Sequence, residues 1–410
     1  MTRRLLQVIP AAGLALFCAA REWVLGQRVE AAPAVAAVQA PDTTSAPAAQ
    51  REATFCNPIG PGADPWVIRV AEPRRPAGEQ SRVRYYLCQA AGHAIAVCSS
   101  DRLTRPGPRR IVWRAPPTGW NARQIWAPEL HRLAGRWYIY YAASDGDNAN
   151  HRLGVLEAET DDPQGAYRDR GMLYTGDDPE TWVAEGGGGT RAGPQPPART
   201  GAAPAQDERV RRAGNRWAID ATILAHRGRM YLLWSGWPAN EDAQYLYIAP
   251  LENPWTVGGP RVRICGNADH VWERVGDDPQ ARGLHEAPQV LRHGARTFVV
   301  FSCSGAWLPE YKLGLLELAG DGDPLDPASW RKHPEPVFQR TDAVCGVGHA
   351  SFAKSPDGTE DWIIYHAKKS RAPGWERLIC TQAFDWQADG RPDFGRPATW
   401  GEPLALPSGE

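Results

Sequence analysis

From residue 64 to residue 368 one pattern of polar and apolar positions recurs five times. A polar or small residue leads, two or three small or apolar positions follow, then a short turn with Gly, then a run of aromatic and aliphatic residues. Asp64 opens DPWVIRV, with RVRYYLCQA (82–90) after a loop; Ala127 opens APELHRLAGRWYIYYAAS; Asp220 opens DATILAHRGRMYLLWSGW; Glu286 opens EAPQVLRHGARTFVVFSCS; His349 opens HASFAKSPDGTEDWIIYHAK. Eight residues separate leader from turn glycine in three copies (Ala127 to Gly135, Asp220 to Gly228, Glu286 to Gly294) and nine in the last (His349 to Gly358). A short strand, a Gly turn and a second strand dense in Trp, Tyr, Val and Ile form a hairpin by composition. A third strand follows in NHRLGVLEAET (150–160), QYLYIAPLE (244–252) and YKLGLLELAG (311–320).

The leaders stand 63, 93, 66 and 63 residues apart. Blocks of about 65 residues carrying three or four short antiparallel strands suit a β-propeller, in which each blade buries its faces on its neighbours. The fold class is therefore all-β, a five-bladed β-propeller; a large β-sandwich would show no such period. The one long interval places its excess in residues 176–210, rich in Gly and Pro, which reads as a disordered surface insert.

Composition adds an address and removes some partners. Residues 1–20 join Arg3 and Arg4 to a short apolar stretch ending in small residues, the layout of a signal peptide. Residues 21–50, rich in Ala and Pro, read as a flexible tether, and 51–410 as a single propeller domain. This predicts a secreted or periplasmic protein. With 46 basic against 47 acidic side chains, the chain has no electrostatic footprint for nucleic acid. Nor does it hold an apolar run long enough for an integral membrane segment. Seven cysteines follow the leader, with no CxxC pair to imply zinc. A Cys88–Cys98 bridge between paired strands is conceivable; otherwise these are small core residues. The chain is expected to act as a monomer.

The innermost strand of each propeller blade faces the central axis, so equivalent positions converge there. Here those positions hold Asp64, Ala127, Asp220, Glu286 and His349. Three carboxylates brought together and partly desolvated raise one another's pKa until one keeps its proton near neutrality. A protonated and an ionised carboxyl side by side are the equipment of glycoside hydrolysis. Trp66, Trp126, Trp217, Trp234 and Trp237 lie near the same strand ends and offer faces on which sugars stack.

GADPWV (62–67), IWAPELH (125–131), WAIDATIL (217–224), LHEAPQVL (284–291) and GVGHASF (346–352), in this order, resemble the blade signatures of glycoside hydrolase family 43. The resemblance runs from about residue 57 to 397. It implies an inverting enzyme acting on arabinose or xylose units, with Asp64 as general base, Asp220 as the group that raises the acid's pKa, and Glu286 as general acid. It further implies Trp126 as a wall of the sugar pocket, and Trp66, Trp237 and His285 are expected beside it as substrate-binding residues. His349 corresponds to an axial histidine that contacts a central calcium ion through water; no cofactor is otherwise required. The runs around Ala127 and His349, with DPLDPASW, are most similar to α-L-arabinofuranosidase members. The expected substrate is thus an arabinose- or xylose-containing carbohydrate. A β-xylosidase, an endo-arabinanase of the same family and a non-catalytic sugar-binding propeller are the alternatives.

Overall fold

The structure, a computed structural model, describes residues 53–71, 83–177, 214–239 and 242–410. The expected leader, the tether and the insert from residue 178 onward lie outside the described residues. Five antiparallel sheets follow one another along the chain as five blades. Their inner strands are Trp66–Ala71, Arg123–Leu133, Ala218–His226, His285–His293 and Cys345–Lys354. Each pairs antiparallel with the next strand, as the repeat predicts. The fifth blade takes its outermost strand, Gly60–Pro61, from the N-terminal side of the fold, and Thr54–Phe55 pairs with Leu404–Ala405. Both pairings tie the start of the propeller to its end. Among the described residues there is no α-helix and no helix long and apolar enough to cross a membrane.

The period of two along a strand explains why the second strands are apolar on both sides. In the third blade, Leu232 and Trp234 pack toward blade 2, whereas Tyr231 and Leu233 pack toward blade 4. In the second blade, Ile139 and Tyr141 face blade 1 while Tyr138 and Tyr140 face blade 3. Each of the five junctions holds one such cluster. Each fully buried Leu or Ile contributes about 1.5–3 kcal/mol.

Two expectations change here. Cys88 pairs with Val97 and Cys98 with Leu87, so the two thiols point to opposite faces of the sheet, into different junction clusters, and both are free. Trp234 belongs wholly to the junction of blades 2 and 3 and offers no face to a sugar.

The equivalence of the five leaders also shifts by one residue in blade 4. In blades 2 to 5 the inner-strand register breaks directly after Trp126, Ile219, Glu286 and Gly348. The residues that follow, Ala127, Asp220, Ala287 and His349, all have positive φ, between 41° and 56°, as does Asp64 ahead of blade 1. Ala287, and not Glu286, is thus the fourth member of the ring. The glycine spacing misleads because Gly294 fills the first of two turn positions between His293 and Arg296, whereas Gly135 and Gly228 fill the second. Left-handed backbone at a non-glycine residue costs of order 1 kcal/mol, and five such residues around one axis mark where strain is concentrated.

Candidate active site

The breaks in register open the inner strands toward a cavity of about 620 Å³ at the axis. Asp64, Asp220 and His349 reach it from the strained ring, and Glu286 from the position before it, which in blades 2 and 3 also lines the cavity as Trp126 and Ile219. Gln289 donates to Glu129, joining blades 2 and 4 across the axis.

The three carboxyls have unlike surroundings. Asp64 is half-buried, and desolvation alone would raise its pKa, but Arg377 Nη1 at 3.3 Å, His349 Nδ1 at 3.2 Å and His366 Nδ1 at 3.2 Å outweigh this and hold it well below the usual carboxylate range. His366 is itself driven by burial to a pKa of about 3 and stays neutral. Among the described residues Asp220 has no Arg or Lys partner. Burial, with the charges of Glu286 and Asp64, pushes it up to about 7, against the opposing effects of His349 and the Ala287 N–H that donates to Oδ2 at 3.0 Å. Burial lifts Glu286 as well, although the Tyr311 hydroxyl, the hydrogen bond from Gln244 Nε2 at 3.1 Å and His349 pull it back. One carboxyl is therefore held ionised, while burial favours the protonated form of the neighbouring Asp220 and Glu286.

Aromatic rings wall the cavity on two sides. On the side of blades 2 and 3, Trp126 stacks on His151 with centroids 3.8 Å apart, and Trp217 stacks on Trp237 at 4.7 Å. Opposite them, Trp307 and Trp375 meet at 5.7 Å, and Trp375 is 64% exposed. Of the sugar-binding residues expected from the sequence, Trp126 and Trp237 line the cavity. The other two do not. Trp66 donates its Nε1–H to the Leu130 carbonyl at 2.7 Å and packs on His131 between blades 1 and 2. His285 precedes Glu286 in the strand and so faces the other way; it is fully buried against Phe301, with Nε2 on Glu273 at 2.8 Å.

His349 points at Asp64, and among the described residues no three His, Cys, Asp or Glu side chains converge as a metal shell. Calcium takes six to eight oxygen ligands. The side chains of the described residues do not form such a cage.

The family model for glycosyl hydrolases family 43 matches residues 55–187 and 205–392. The chain belongs to this family. It is 31% identical to the extracellular exo-α-(1→5)-L-arabinofuranosidase of Streptomyces chartreusis over 78% of this chain and 85% of that one. With the protein of the same description from Streptomyces avermitilis it shares 28% identity, over 91% of this chain and 69% of the other. The crystal structure of the α-L-arabinofuranosidase from Lactobacillus brevis superposes with a TM-score of 0.66 at 26% identity, covering 85% of this chain and 98% of that one. This family 43 chain is a glycoside hydrolase.

Several residues of its site escape a reading of the repeat. Arg377 opens the third strand of blade 5, Gln244 precedes the third strand of blade 3, and Trp307 and Trp375 lie in loops. None occupies a repeated position.

Proposed function

We propose that this family 43 enzyme is a secreted α-L-arabinofuranosidase that removes terminal α-L-arabinofuranosyl residues from arabinose-containing oligo- or polysaccharides with inversion of configuration. The observation that carries this reading is the division of labour among the carboxyls. Asp64 is held ionised by Arg377, while burial raises the proton affinity of Glu286 and Asp220. Glu286 gives a proton to the glycosidic oxygen while Asp64 takes one from the water that attacks the anomeric carbon from the opposite face. Asp220 acts through Glu286 by holding its proton affinity up, and the Ala287 N–H keeps Asp220 in place. Trp126 and Trp237 supply faces for the sugar. The names of both Streptomyces relatives support the choice of sugar and the extracellular location.

The test compares hydrolysis of 4-nitrophenyl α-L-arabinofuranoside and 4-nitrophenyl β-D-xylopyranoside, with Asp64→Ala, which removes the base and not the acid, as control. Release from the arabinoside alone, strongly reduced in the control, is the expected outcome. Preference for the xyloside would make the enzyme a β-xylosidase, and action on neither, with cleavage of internal arabinan linkages, an endo-arabinanase.

A further inference from the structure

We propose that Gln244 is a positioning residue that assigns the transferable proton of Glu286 to one carboxyl oxygen, Oε1, and stabilises the carboxylate that remains. The proposal rests on the reading of Glu286 as general acid. A main-chain carbonyl dictates the polarity of the chain of hydrogen bonds that leads to it. The His285 carbonyl oxygen can only accept, so Ser235 Oγ, 2.7 Å away, directs its single proton there. Ser235 Oγ must then accept from its other neighbour. That neighbour, 3.2 Å away on Gln244, is therefore the amide nitrogen Nε2 and not the amide oxygen. The second N–H on this nitrogen points to Glu286 Oε2 at 3.1 Å. The carbonyl-type oxygen of a neutral carboxyl is its better acceptor, which leaves the proton on Oε1.

Gln244 is well placed to hold this orientation. Its own carbonyl accepts from the His285 N–H at 3.1 Å and from Asn267 Nδ2 at 2.8 Å, and both Gln244 and Ser235 are buried. In the reaction the Oε1–H bond breaks and its proton passes to the glycosidic oxygen, which keeps the electron pair of the breaking bond to the anomeric carbon. The water oxygen bonds that carbon, and Asp64 takes the water's proton. Glu286 becomes an anion, and the Gln244 hydrogen bond becomes charge-assisted and about twice as strong. It thus favours the transition state over the ground state.

The charged and titratable groups that face Glu286 are Asp220 from blade 3, Asp64 ahead of blade 1, His349 from blade 5, and Tyr311 and Cys303 of its own blade. Gln244→Met keeps all of them and removes only the donor. Without that donor the Glu286 carboxylate is less favoured, so its proton is lost at higher pH.

The experiment measures kcat/KM from pH 4 to 9 for wild type, Gln244→Met, Ser235→Ala and Glu286→Gln, on α-1,5-L-arabinobiose and on 4-nitrophenyl α-L-arabinofuranoside. Gln244→Met should lose about 10- to 100-fold on the disaccharide, as expected for a hydrogen bond to a charged group, and only a few-fold on the aryl substrate, whose leaving group needs little protonation. Its alkaline limb should move to higher pH. Ser235→Ala should change both in the same direction by less, and it carries the test if Gln244→Met does not fold. Equal losses on both substrates with an unmoved alkaline limb, or no loss on either, would overturn the proposal. Full disaccharide activity in Glu286→Gln would instead remove Glu286 as the acid, a separate failure.

Discussion

The Ala287 N–H donates to Asp220 Oδ2 at 3.0 Å, so the residue after Glu286 holds the carboxyl that faces Glu286 from the neighbouring blade. The same break in register that turns Ala287 into left-handed backbone frees its N–H from the ladder. Backbone geometry in blade 4 and electrostatics in blade 3 are one feature.

Asp220 should make the protein less stable as pH rises. Its folded pKa is raised to about 7, so between about pH 4 and 7 the folded state binds more protons than the unfolded one. Stability then falls with pH across that window and is lowest above it. Asp220→Asn keeps the acceptor for Ala287 and removes the charge. Its Tm should exceed that of wild type at pH 8 by about 2 °C or more and show a smaller gain at pH 4.5, while activity drops sharply. Melting curves at the two pH values check this; an equal shift at both would contradict it.

Arg377→Met should move the acid limb of activity. Wild type keeps Asp64 ionised well below the ordinary carboxylate range, so its acid limb does not come from Asp64. Without the guanidinium 3.3 Å from Oδ1, the largest effect that opposes burial is gone and only His349 and His366 remain, so the carboxyl protonates at higher pH. A kcat/KM profile from pH 3.5 to 9 should show an acid limb displaced upward by a pH unit or more, a scale set by about 1.4 kcal/mol per unit. An unmoved limb would remove Arg377 from this role.

Trp375 has little to lose from the fold, being 64% exposed, but faces the cavity beside Trp307. Trp375→Ala should leave Tm within about 1 °C, as exposed substitutions do. It should raise KM for arabino-oligosaccharides about 5-fold, the equivalent of one lost ring contact of about 1 kcal/mol. Michaelis–Menten kinetics beside a melting curve separate the two effects.

Gly348→Ala should damage both fold and site. A Cβ there would stand 2.3 Å from Tyr311 Cε1 and 2.5 Å from its Cδ1, and Tyr311 is fully buried beside Glu286. Overpacking of this kind costs about 1–3 kcal/mol. A lower Tm with reduced kcat is expected. Gly135→Ala is a poor control, because that turn has φ 81°, whereas Gly60→Ala meets nothing within 4 Å and should be neutral.

The fold was legible because a propeller repeats its hydrophobic pattern once per blade, and that pattern survives even where leaders differ as much as Ala127 and His349. The carboxyls were legible for the same reason: the repeat carries Asp64, Asp220 and Glu286 to one axis. Exact register was not, since one glycine sits a position earlier in its turn than its counterparts. Which neighbours of the acids face the sugar was only half readable, because a strand alternates its faces and the breaks in register reset that alternation; Trp126 faces inward, whereas Trp66 and His285 do not. Arg377 and Gln244 act from third-strand ends, where no periodicity marks them.

The most direct test of inverting arabinofuranoside hydrolysis is the configuration of the first product. Proton NMR of 4-nitrophenyl α-L-arabinofuranoside hydrolysis, recorded in the first minutes before mutarotation, should show β-L-arabinofuranose appearing first, as single displacement by water activated at Asp64 requires. Initial formation of the α anomer would contradict this mechanism, because it requires two displacements and a covalent intermediate.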